Sequence, residues 1–143
     1  MINSVKNLEN YFLEELNNIQ ESFINIYIAK LLSEFNNNTK LFKNVDNSLK
    51  NHYLCDLWLD FEAESCKSHK TSQLKFIGDY SLFYNAVINP KNSLLNGLYY
   101  ESNGIRAYRH LSAIKPESYA IFSILANDFK DISNRIRLLK ILN

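Results

Sequence analysis

The stretch Thr71-Ser-Gln-Leu-Lys-Phe-Ile-Gly-Asp-Tyr-Ser-Leu-Phe-Tyr-Asn-Ala-Val-Ile88 decides how this chain folds. Leu74, Phe76, Ile77, Tyr80, Leu82, Phe83, Ala86, Val87 and Ile88 put apolar groups on nearly every side of a helix. A helix that is hydrophobic all round needs other elements packed about it, so this one is expected at the centre. Asn89-Pro90 ends it, because the residue before a proline is pushed out of the helical region. A strand over 80–88 is the competing reading, but a lone strand would have no partner in this sequence.

Before this stretch, Leu49, Tyr53, Leu54, Leu57, Trp58 and Phe61 mark the inward face of a helix running to about Cys66. Asp46 to Ser48 offers its N-cap, and Lys67-Ser-His-Lys70 reads as the following turn. Val5, Leu8, Phe12, Leu16 and Ile19 form another helical face, which Phe23, Ile26 and Leu31 would continue. One helix over 4–35 would be about 48 Å long at 1.5 Å per residue, too long for a compact domain. A break is therefore expected near Asn17–Ser22, with Ser22 as N-cap, and the unbroken helix is the alternative. Asn36-Asn-Asn-Thr-Lys40 reads as a loop.

After the central stretch, residues 97–114 predict a helix, and Lys115-Pro116 opens the last one with proline near the first helical position. That helix carries Phe122, Leu125, Phe129, Ile132, Ile136 and Leu139 at alternating steps of three and four, a heptad seam. The pattern predicts an all-α fold: a single domain over 1–143, with five or six helices bundled around the helix at about 71–88.

Composition agrees. The chain has 143 residues, 46% of them hydrophobic, with nine Phe and nine Tyr, which supports a core and excludes disorder. Three Gly and two Pro are too few for the turns of an all-β domain. Sixteen basic against fifteen acidic residues leave a net charge of +1, so neither nucleic acid nor an anionic membrane is expected as partner. No apolar run nears the roughly 18 residues of a membrane span, and the first residues do not read as a secretory signal. The expected location is cytoplasmic, and Cys55 and Cys66 are expected as free thiols.

Several constellations could carry chemistry. His52, Asp56, Asp60 and Glu64 are four apart on one helix, but they lie opposite its apolar face and read as a solvated stripe. Gly78 costs a helix interior about 1 kcal/mol against Ala, which a close helix crossing would explain. Asp79, beside it, is a carboxylate near a core and needs a partner; Arg106, Arg109 and His110 are the candidates. Tyr99, Tyr100, Gly104 and Tyr108 accompany them, with Gly104 as the other half of a crossing. Cys66-x-x-His69 is half of a zinc pattern without a second half, so no metal and no cofactor is assigned. Lys130, Arg135, Arg137 and Lys140 suit a helix C-terminus better than a phosphate site.

Gly78-Asp79-Tyr80-Ser81-Leu82-Phe83, Tyr99-Tyr100, and Gly104 with Ala107-Tyr108-Arg109 resemble a pattern in a group of small uncharacterised bacterial all-helical proteins. The likeness spans roughly residues 76–111. It implies a bacterial, cytosolic helical protein and transfers no catalytic residue.

No catalytic motif is found, so the reading leans away from an enzyme. The first expectation is a non-enzymatic protein-association module, either binding a protein partner or forming a homodimer through an overhanging seam at Ile132, Ile136 and Leu139. The second is a small-molecule-binding bundle. Its polar pocket would lie between helices 71–88 and 97–114, with Asp79, Tyr80, Tyr100, Arg106 and His110 as contacts. The third is a metal- or haem-dependent helical enzyme using His52 or His110.

Overall fold

A computed structural model describes residues 9–10, 22–36, 47–88, 94–115 and 119–139. Among the described residues six α-helices of defined bounds follow one another: α1 (Ser22–Asn36), α2 (Asn47–Ala63), α3 (Lys67–Phe83), α4 (Leu94–Ile114), α5 (Tyr119–Asn127) and α6 (Phe129–Leu138). They pack into one bundle, and no strand occurs among the described residues. The strand reading of 80–88 is thereby excluded. No described helix is long and apolar enough to cross a membrane.

α3 is central, as its all-round apolar character requires. Every residue from Ile77 to Phe83 is buried, and α1, α2, α4 and α6 all pack against it. Its pairing with α4 is the most extensive among the described elements. The helix starts earlier than expected: Lys67-Ser-His-Lys70 is its first turn, not a connecting turn. Cys66 takes the N-cap position with extended backbone angles, and its carbonyl accepts the Lys70 N–H at 3.0 Å. Three non-helical residues, 64–66, are all that separate α2 from α3.

α3 continues into a π-helical turn, Tyr84–Ile88. A π turn displaces carbonyls from the regular ladder. Here α6 supplies a donor: Arg137 Nη2 lies 2.8 Å from the Asn85 carbonyl and 3.1 Å from its Oδ1. Asn85 Nδ2 in turn donates to Ser133 Oγ at 3.2 Å. Arg135 pairs with Asp131 one turn back. The C-terminal cations Arg135 and Arg137 are thus engaged within the chain.

The heptad seam is real, but it is not one helix. Asp128 leaves the helical region at φ −106°, ψ 17°, and divides the segment into α5 and α6. The seam also does not overhang. Ile132 and Ile136 are buried in the chain's own core with Phe129, and Leu139 packs partly buried against it. The distal half packs on the π turn and on α3, so the expected exposed seam is absent. Leu138, on the other side of α6, is the exposed one. The break expected near Asn17–Ser22 falls outside the described residues, which resume with α1 at Ser22. The helix over 4–19, the loop at 36–40 and both proline positions lie largely outside the described residues.

Both glycines mark close approaches. A Cβ on Gly78 would stand 2.6 Å from Cε1 of Tyr108 on α4. A Cβ on Gly104 would run into the Phe129 ring and lie 3.1 Å from Ser81 Cβ on α3. The two glycines do not face each other; each receives an aromatic ring. The Tyr108 ring cannot step aside, because Phe122 stacks against it at 6.1 Å and its hydroxyl is bonded to Asp79. Gly78→Leu is therefore expected to lower stability by about 1–3 kcal/mol through overpacking, despite its better helix propensity. Urea unfolding checks this, and a more stable variant would mean that the ring yields.

Candidate functional site

Asp79 is 3% exposed and sits within the buried stretch Ile77–Phe83 of the central helix. Its charge survives there only with donors around it. Tyr27 Oη from α1 and Tyr108 Oη from α4 both donate to Oδ1 at 2.7 Å. Lys75, one turn back on α3, donates to Oδ2 at 2.9 Å. The Lys75 ammonium also lies over the Tyr27 ring, 5.3 Å from its centroid. Burial pushes the Asp79 carboxyl above the usual carboxylate range, against the opposing pull of Lys75 and the two hydroxyls. Burial, reinforced by the neighbouring carboxylate, drives both tyrosine hydroxyls well above their ordinary range. They remain donors at every physiological pH. This cluster joins three helices.

The partners expected for Asp79 are thus corrected. Gly104, Ala107, Tyr108 and Leu111 are buried on α4, whereas Arg106, Arg109 and His110 are exposed. Arg106 and Tyr108 are two residues apart, about 200° round the helix, so they cannot reach the same carboxylate. Lys75 was within reach of sequence reasoning as an i,i+4 neighbour. Tyr27, 52 residues away from Asp79, left no local signal.

The exposed face of α4 forms a second arrangement. Trp58 of α2 is nearly buried, and its Nε1 donates to Asn103 Oδ1 at 2.7 Å. Asn103 Nδ2 donates in turn to the Tyr99 carbonyl at 2.8 Å. The indole is thereby held in place, and the Arg106 guanidinium lies over it, 4.2 Å from the ring centroid. His110 packs edgewise on Phe61 and tilted on Trp58, at 6.0 and 6.3 Å. Ser102, Ile105, Arg106, Arg109 and His110 line an open groove of about 510 Å³. Neither Arg106 nor Arg109 is paired with a carboxylate among the described residues.

The five residues expected to share a pocket are therefore divided. Asp79, Tyr80 and Tyr100 lie in the interior; Arg106 and His110 lie on the groove. Tyr100 stacks on Tyr84 with centroids 4.0 Å apart, and Tyr80 joins the same aromatic cluster. Their rings fill the α3–α4 interface that a pocket would need. Asp56 and Asp60 are exposed, as the solvated stripe requires, and the His52 side chain lies outside the described residues. Trp58, Ser102, Asn103 and Ile105 were not recognised as parts of a site, because nothing local links α2 to α4.

No protein-family model, curated protein or solved structure matches the chain. The likeness noted for residues 76–111 rests on its short motifs alone.

Two measurements test the buried carboxylate. Tyr108→Phe removes one of the two hydroxyls on Oδ1 and is expected to cost about 1.5–3 kcal/mol, the range for a hydrogen bond to a charged group. The pH dependence follows from the raised carboxyl. Unfolded, an aspartate titrates near pH ~3.9. Above that value the folded chain holds more protons than the unfolded one, so the Asp79 contribution is greatest below it. It is lost as pH rises through the folded-state pKa. Urea unfolding from pH 4 upward should show wild type losing stability relative to Asp79→Asn, then running parallel to it.

Proposed function

We propose that this protein is a non-enzymatic helical association module that docks an acidic segment of a partner protein on the outer face of α4. One observation carries the reading: Arg106 rests on a fixed tryptophan beside Arg109 and His110, and the two guanidiniums have no carboxylate of their own among the described residues. Guanidinium groups held in place lose little freedom on binding and suit carboxylates through paired hydrogen bonds. Clusters of arginine are a recurring means of recognising acidic motifs.

The form of the groove favours a segment of a protein over a small molecule. Small-molecule sites enclose most of their ligand, whereas this one is open along the α4 surface. Charge complementarity there would set orientation and association rate more than affinity. Self-association through Ile132 and Ile136 is not part of the reading, because those side chains are buried within the chain.

Amide chemical shifts of labelled protein titrated with a hexaglutamate peptide test the proposal. Shifts confined to residues around 102–110 are expected. They should weaken as salt screens the charges and vanish in the Arg106→Glu, Arg109→Glu double variant, whose changes are at exposed positions. No response at those residues, or an equal response to hexalysine, overturns the reading. A response to citrate but none to hexaglutamate would replace it with a small-anion site.

A further inference from the structure

The link between α2 and α3 gathers three different donor types in one place. Glu64 follows the end of α2, Cys66 caps α3, and His69 stands in the first turn of α3. A carboxylate oxygen, a thiol sulfur and an imidazole nitrogen from these residues all lie within 4.8 Å of one another. The local backbone accounts for the convergence. The Glu64 N–H returns to the Phe61 carbonyl at 3.2 Å, closing α2. The Cys66 N–H then donates to Glu64 Oε1 at 3.3 Å, and His69 Nδ1 lies 3.0 Å from that same oxygen. The carboxylate is thus turned toward the cysteine and histidine.

We propose that Glu64, Cys66 and His69 form a surface site for a zinc-class divalent ion, with its remaining coordination position open to water. The donor set fits that chemistry. Zinc binds thiolate, imidazole and carboxylate together, and sites with three protein ligands leave the fourth position open. A sulfur donor selects against magnesium and calcium, which take oxygen ligands. Tetrahedral zinc with bonds of about 2.0–2.3 Å brings its donors to about 3.3–3.7 Å from one another. The separations here, all within 4.8 Å, need only a modest adjustment, and all three side chains reach solvent: His69 is 70% exposed and Glu64 28%. Entry of the ion requires loss of the thiol proton. The Ser68 hydroxyl lies 3.3 Å from Cys66 Sγ, on the side of the helix start. The spacing Cys66-x-x-His69 supplies two of the donors, and Glu64 completes the set from the preceding helix end. The ion would fasten the short connection between α2 and α3.

The test uses the full, tag-free chain titrated with Co²⁺ and then Zn²⁺. One Co²⁺ per chain is expected, with a near-ultraviolet thiolate-to-cobalt band and tetrahedral visible bands, both removed by one equivalent of Zn²⁺. Cys66→Ser should abolish the thiolate band. His69→Ala and Glu64→Gln should each weaken Co²⁺ binding by at least about 100-fold, the upper end of what loss of an outer-shell partner alone costs. Cys55→Ser should leave the spectrum unchanged, since Cys55 stands on α2 beside Tyr99. Far-ultraviolet circular dichroism verifies that each variant is folded. Absence of the thiolate band in wild type, its persistence in folded Cys66→Ser, or its equal loss in Cys55→Ser would overturn the proposal.

Discussion

A carboxylate taken out of water in the middle of an apolar helix must find donors, and Asp79 finds them on three helices. Tyr27 arrives from α1, Tyr108 from α4 and Lys75 from its own α3. Breaking such a set leaves a buried charge without compensation, which is far more costly than never having built it. The arrangement therefore fixes the relative positions of α1, α3 and α4 more strictly than apolar packing would. Hydrophobic contacts tolerate a sliding helix; three hydrogen bonds to two oxygens do not. Gly78 belongs to the same device. The Tyr108 ring reaches Asp79 by crossing α3 at the one position without a side chain. Around that crossing Phe122 and Phe129 close over the ring, tying α5 and α6 to the same centre.

α4 shows how one helix can serve two purposes. Its inner face, with Gly104, Ala107, Tyr108 and Leu111, is part of the core. Its outer face carries Arg106, Arg109 and His110. α2 lies along the border, where Trp58 bonds Asn103 with its ring nitrogen and carries Arg106 on its face. A guanidinium on an indole keeps its charge available while its carbon stem covers apolar surface. The helix that the buried carboxylate holds through Tyr108 thus also carries the cations on its other side. This is the physical basis for reading that face as a recognition surface.

The π turn after α3 has a comparable logic. A widened turn displaces polar backbone into the interior, and an unpartnered carbonyl there would be costly. Arg137 supplies the missing donor from α6 and Ser133 receives the Asn85 amide. Two features that look independent in the sequence, an irregular end to α3 and a basic C-terminal helix, are one structure.

The sequence by itself determined that the fold is helical and that residues 71–88 lie at its centre. Both follow from local rules: the spacing of apolar groups, the scarcity of glycine and proline, and the need of an all-round apolar helix for neighbours. It also marked Gly78, Asp79 and Gly104 as positions that a helix interior does not favour without a tertiary reason. What that reason was, only the tertiary structure decided. Tyr27 is separated from Asp79 by 52 residues and Trp58 from Asn103 by 45, and nothing in the intervening chain fixes such pairings. The same limit explains the expected pocket and the expected seam. Periodicity assigns residues to a face, but not which face another helix will cover. Arg106 and His110 share a helix with Tyr100 and yet lie on the opposite side from the core, while Ile132 and Ile136 are covered by the chain itself. Glu64 joined Cys66 and His69 for a related reason: the chain reverses at residues 64–66, and it is the placement of two helix ends, not the spacing of letters, that brings an oxygen to a sulfur and a nitrogen.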